Sequence, residues 1–237
     1  MDSIAIWFIL STFIVMVSII AIDLETDSLK LIGQKDEDLP EWTKLTHSQC
    51  ENCTLKKEDQ PYCPVAANIV DVADFFKNRY SYDDVQVTIV TESRTYTKKT
   101  SLQNGLSSLM GLYMVTSGCP VMDKLRPLVH THLPFASLEE SMFRIVSMYL
   151  VAQYYRFRKG ENPDWSLNGL SDLFEDIGKV NRAFAERLHA VVSKDANLNA
   201  LVILNCVADM GKIAFESEDM DDLEYLFSAH MSPNFTV

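Results

Sequence analysis

The longest stretch without a charge is residues 4–22, IAIWFILSTFIVMVSIIAI, in which nineteen consecutive positions hold no Asp, Glu, Lys or Arg. A helix of that length crosses a hydrocarbon core of ~30 Å, so the leading expectation is a transmembrane anchor. The alternative is a pair of buried β-strands. Ten of the nineteen residues are Ile, Val or Thr, and the AIDLETDSLKLIG that overlaps its end reads as strand, turn, strand. Strands of this composition lack a polar face and would need cover on both sides. The stretch is a poor secretory signal, because no basic residue precedes Lys30 and no small-residue cleavage site precedes the acidic DLETD. For the same reason the charge rule cannot orient it.

Beyond a polar connector, GQKDEDLPEW, the pattern turns regular. Pro64 opens a helix over about 65–78 with Ile69, Val72, Ala73 and Phe76 at helical spacing. In VQVTIVTESRTYTKK, Val85, Val87 and Ile89 alternate with polar residues before a turn at Glu92 and Ser93, which predicts a hairpin. From Ser101 the period becomes helical, with Leu102, Leu106, Leu109 and Leu112 or Tyr113 on one face and Gly118 as the stop. Ser137 and Glu140 form a capping box for a helix that ends near Lys159 and Gly160. A long amphipathic helix over 167–193 turns Leu170, Leu173, Phe174, Ile177, Phe184, Leu188 and Val191 inward. The next, over 196–215, is apolar on most sides and is expected at the centre, with Cys206 as a small core side chain. A short acidic helix over 219–229 closes the chain. The fold class is α+β: a small antiparallel sheet near the N-terminus, then a helical bundle. Residues 1–22 are the anchor or the strands. Residues 23–237 are one domain, with a cysteine cluster and hairpin over 39–100 and the bundle over 101–237.

Composition narrows the function. The 237 residues carry 33 acidic against 21 basic side chains, a net charge of −12. That balance argues against nucleic acid as a partner, since a phosphate-binding surface needs clustered Lys and Arg. Five cysteines are an odd and small number for this length, so the chain is not a disulfide scaffold.

Three of the five form a C-x2-C-x9-C cluster, Cys50, Cys53 and Cys63, and Cys63 falls at a helix N-terminus, where the macrodipole favours an anion. Structural zinc and cubane iron–sulfur sites take four ligands. The expected fourth is Cys119, a second Cys-Pro step between two helices; His47, His130 and His132 are the alternative ligands. The expected cofactor is therefore zinc, with a 4Fe-4S cluster as the alternative. Dithiol redox chemistry at Cys50 and Cys53 is disfavoured, because that motif usually opens a helix in a βαβ unit. Asp123, Lys124 and Arg126 read as a local charge network, and Asn181, Asn205 and Asp209 as interhelical hydrogen-bond partners. No phosphate loop, G-x-S-x-G or H-E-x-x-H motif is present.

The stretches LPEWTKL, QCENC, YCPVAANI, SGCPVMDKLRPLVHTHLPFASLEE and VNRAFAERL together resemble an uncharacterised bacterial domain family with W-T-x-L, Q-C-x-x-C, C-P-x-A, S-G-C-P and H-L-P-F-A landmarks. The resemblance covers roughly residues 39–190. It implies one folded unit across sheet and bundle and supports grouping Cys50, Cys53, Cys63 and Cys119, but supplies no activity or substrate. In that pattern the region before W-T-x-L has short strands with polar interruptions, and residues 4–22 depart from it.

The resulting expectation is a metal-stabilised interaction or sensory module with an unidentified protein partner and no inferred catalysis. It is tethered through residues 4–22 to a bacterial inner membrane with the domain in the cytoplasm, where unpaired thiolates persist; the alternative is a soluble cytoplasmic protein. The competing functions are an iron–sulfur electron-transfer protein on the same cysteines and a soluble enzyme with His130, His132 and Asp123 near the thiols.

Overall fold

The structure, a computed structural model, describes residues 3–11, 17–33, 38–216 and 225–231. Residues 4–22 supply two antiparallel strands, β1 (Ser3–Ser11) and β2 (Val17–Glu25), with Ile4 opposite Leu24 and Phe8 opposite Ile20. The transmembrane helix, and with it the single-pass inner-membrane anchor, is corrected: among the described residues no helix is long and apolar enough to cross a membrane. The physical reason lies in the side chains. Ile and Val are stiff at χ1 and suit a pleated, packed surface, and here a further strand is at hand to pair with β1.

That strand is β3 (Asp84–Val90), which runs antiparallel to β1 with Phe8 opposite Ile89 and Leu10 opposite Val87. β4 (Thr95–Ser101) completes the sheet in the order β2-β1-β3-β4. The hairpin closes where Thr91 N donates to Arg94 O at 2.9 Å. Ile6, Phe8, Leu10, Ile22, Leu24, Val85, Val87 and Ile89 alternate onto one buried face. The expected cover on both sides is not found: Trp7 and Ile19, on the opposite face, are 44% and 61% exposed.

Helices cover the buried face. They are α1 (Pro64–Phe76), α2 (Leu102–Thr116), α3 (Leu138–Arg158), α4 (Asn168–His189) and α5 (Ala196–Glu216). A 3-10 helix, Met122–Val129, links α2 to α3. The helix expected over 219–229 lies largely outside the described residues, which resume with a 3-10 turn, Tyr225–Phe227, and a short α6 (Ser228–Met231). α2 lies closest to the sheet because Gly105 has no side chain: a Cβ there would come within 2.8 Å of Val87 Cγ2. The capping box of α3 forms as expected, with Glu140 N donating to Ser137 Oγ at 3.1 Å and Ser137 N to Glu140 Oε2 at 2.7 Å. α5 is not central. Its Ala196, Ala200, Leu201 and Ala208 are buried, while Val202, Cys206, Met210 and Ile213 form an exposed stripe, so Cys206 is a surface thiol. Apolar composition marked both faces of α5, but only the face toward α4 and α2 is covered.

Candidate functional site

Four chain segments meet beside the N-terminus of α1. The stretch 41–45 runs against 61–63: Leu45 N donates to Pro61 O at 2.8 Å and Cys63 N to Thr43 O at 2.7 Å. Cys63 is the N-cap of α1, and Pro64 occupies the first turn, where its missing N–H costs nothing. Cys50 and Cys53 sit on a tight turn closed by Cys53 N donating to Cys50 O at 3.0 Å. Asn52 pins this turn to α4, donating to Asp176 O and Oδ1 at 3.1 and 3.0 Å. Cys119 follows Gly118, whose φ of 88° is the left-handed conformation that glycine adopts freely. All four cysteines line one small cavity of about 20 Å³, together with Phe184 and Arg187 of α4.

Arg187 is the residue that sequence reasoning missed. It is 1% exposed. Its Nη1 donates to the carbonyls of Trp42 and Lys44, both at 2.7 Å, and its Nη2 to that of Leu45 at 3.1 Å. The W-T-x-L stretch is therefore a carbonyl cradle for a buried guanidinium. The signal was there in VNRAFAERL, where an arginine shares the helical face of Phe184 and Leu188.

The thiols meet, but not as a metal centre. Burial pushes the Cys50 thiol up to about 12, reinforced by repulsion from Cys63, Cys119 and Cys53 and opposed by Arg187. Cys119 is likewise raised, first by burial, against backbone hydrogen bonds from Met122 and Val121. Arg187, the cation that opposes the rise at Cys50, has its guanidinium turned to carbonyls. Among the described residues no group of three or more His, Cys, Asp or Glu side chains is disposed to hold a metal ion. The description as a metal-binding protein, with zinc or an iron–sulfur cluster, is corrected accordingly. The alternative ligands His47, His130 and His132 are not among the described residues that line this cavity. His47 sits in the turn after Lys44, whose carbonyl its N–H reaches at 3.0 Å, and His130 is exposed at the end of the 3-10 helix.

His132 belongs to a second, larger cavity of about 580 Å³ among α2, the 3-10 helix, α3, α4 and α5. That volume lies within the range of small-molecule sites. Its walls are largely apolar, for example Leu112, Ile145, Phe174, Ile177 and Leu204, and its rim reaches solvent at Lys98, Asn104 and Glu140. Polar side chains interrupt these walls. His132 Nε2 lies 3.3 Å from Ser108 Oγ, and Arg144 Nη2 donates to Leu128 O at 3.0 Å. His132 Nδ1, Arg144 Nε and both amide atoms of Asn181 are buried with no hydrogen-bond partner among the described residues. Burial first, and then Arg144, lower His132 to about 4. At the rim, Phe135 has a φ of 60° and Lys98 lies 5.7 Å over its ring. A non-glycine residue held in that conformation costs of order 1–3 kcal/mol, and such strain concentrates at functional sites.

Other expectations resolve locally. Asp123 pairs with Arg126, whereas Lys124 reaches Asp176 at 3.7 Å. Asn205 donates within its own helix to Asp209 at 2.7 Å, and Asn181 has no partner among the described residues, so the expected interhelical bonds are not found there. The large cavity holds His132 but not His130, Asp123 or any thiol.

Fold and sites together define an α+β domain with a thiol-lined cavity and, apart from it, a larger and largely apolar one. The chain belongs to the family described as Domain of unknown function (DUF6901), whose model matches residues 15–228. Neither a curated protein nor a solved structure matches it.

Proposed function

We propose that this protein is a sensory module that binds a small, largely apolar molecule in the cavity among α2, α3, α4 and α5. One observation carries the reading: four of the buried, unpartnered polar atoms belong to three residues of this one cavity wall, His132, Arg144 and Asn181. Each buried polar atom without a partner costs about 1–3 kcal/mol. A ligand that bears a polar group on an apolar body relieves that cost and fills the space, with side-chain rotation of the ordinary kind on binding. The thiol cavity serves a structural purpose in this reading, holding the 41–45 segment and the α1 N-terminus against α4. Transmission falls to α5. Its Leu204 and Ala208 line the cavity while Val202 and Met210 face solvent, so a shift caused by occupancy reaches the surface.

The test is titration of the full chain with the fluorescent apolar probe anilinonaphthalene sulfonate. Saturable binding of one probe per chain is expected. Gly111→Leu, which drives a side chain toward Leu204, should weaken it by about tenfold or more, equivalent to about 1.4 kcal/mol, while thermal unfolding stays cooperative. Absence of saturable binding, or equal affinity in the variant, overturns the reading.

A further inference from the structure

The cavity's charges point beyond a merely apolar occupant. We infer that its ligand is a carboxylic acid bound as the carboxylate on an apolar body, and that Arg144 recognises it; this rests on the cavity being a ligand site. In a chain of net charge −12, the charged residues on this wall are two cations, Lys98 and Arg144, and one carboxylate, Glu140. Glu140 is already engaged, since it accepts from Ser137 N at 2.7 Å in the α3 cap.

Arg144 makes no ion pair among the described residues. Its Nη2 is fixed on Leu128 O at 3.0 Å, which holds the guanidinium against the 3-10 helix, and its Nε–H has no acceptor. Burial lowers its proton affinity, with Tyr96 and Glu140 opposing the effect. An anion delivered to that N–H forms a charge-assisted hydrogen bond, roughly twice as strong as a neutral one. His132, uncharged at neutral pH, adds a neutral polar edge and no competing charge.

A phosphate asks for more. It carries up to two charges and three acceptor oxygens, which are ordinarily met by several cationic donors or a free helix N-terminus, whereas this wall has one surplus cation, its other polar side chains are neutral Ser, Asn and His, and the α3 N-terminus on it is already capped by Ser137 and Glu140. One unpartnered guanidinium N–H, the neutral amide of Asn181 and one surplus cation fit a monocarboxylate, and the largely apolar remainder of the cavity takes its hydrocarbon or aromatic body.

The experiment uses calorimetry on the full chain at neutral pH with three probes of one chain length: octanoate, 1-octanol and octylamine. Octanoate is expected to bind about tenfold or more tighter than octanol, and octylamine weakest of all. Arg144→Gln should bring the octanoate-to-octanol ratio to about one while octanol affinity changes by less than about twofold. Arg144→Lys should recover part of the ratio. Octanol equal to octanoate on the unaltered protein, or an unchanged ratio in Arg144→Gln, overturns the inference. Should Arg144→Gln not fold, the head-group series on the unaltered protein decides by itself. Binding of anilinonaphthalene sulfonate with none of the three probes leaves the cavity reading standing and removes the carboxylate class; binding of nothing removes both.

Discussion

Arg187 Nη1 donates to the Trp42 carbonyl at 2.7 Å, joining two positions 145 residues apart in the chain. The same guanidinium takes the carbonyls of Lys44 and Leu45, so a single side chain fixes the segment that Cys63 pairs with. Arg187→Met keeps most of the volume but removes the guanidinium donor from the Trp42 and Leu45 carbonyls and leaves the Lys44 carbonyl only the His47 N–H. The expected cost is about 3 kcal/mol in urea unfolding. Cys50 and Cys53 should also react faster with a thiol reagent. A loss below about 1 kcal/mol would mean that the cradle is held by something else.

The raised Cys50 thiol predicts an alkaline weakness. Its folded value, about 12, lies above the ordinary 9.0, so the folded state holds this proton more tightly than the unfolded one. That contribution to stability is fully present below the ordinary value and is lost as pH rises through the folded one. Unfolding midpoints should therefore fall between these two values, and fall less in Cys50→Ala. Because Lys and Tyr titrate in the same window, the difference between the two proteins is the measurement. Parallel curves would show that Cys50 is not buried as described.

Local signals in the chain foretold much of the frame. The Ser137 and Glu140 capping box, the turn between β3 and β4 and the stop at Gly118 each depend on a few adjacent residues, and each forms. The meeting of Cys119 with the other three thiols was also foreseen, through its Cys-Pro likeness to Cys63. What failed depended on partners far along the chain. Residues 4–22 read equally as helix or strand until β3 supplies an antiparallel neighbour. Helical period assigned an inward face to α4 correctly, but α5 is apolar on most sides and its period could not say which side is covered. The protonation of a thiol cluster depends on burial, and the larger cavity on how side chains from several elements fail to fill the space between them. Neither is written in any one segment.

β1 is an inner strand of the sheet, so removal of residues 1–22 strips β3 of a neighbour and uncovers the apolar residues that Phe8 and Leu10 pack against. A chain starting at Asp23 should collect in the pellet on fractionation. Any part recovered should lack a cooperative melt, because losing several fully buried side chains at about 2–5 kcal/mol each exceeds the stability of a typical domain. A well-folded, monodisperse shortened chain would show instead that the two strands are dispensable.

His132 predicts the opposite pH limit. Burial, followed by the Arg144 charge, holds it near 4, below its ordinary 6.5, so the unfolded state binds the proton more readily. Its contribution is present above the ordinary value and is lost as pH falls toward the folded one. Stability should thus decline from about pH 6.5 to about pH 4 by more than carboxylate protonation alone produces, and His132→Gln should flatten that part of the curve. Octanoate beside Arg144 would offset the cationic repulsion. With the cavity occupied, the His132 titration followed by proton NMR should move upward toward its ordinary value, and an unmoved titration would separate His132 from the ligand's head group.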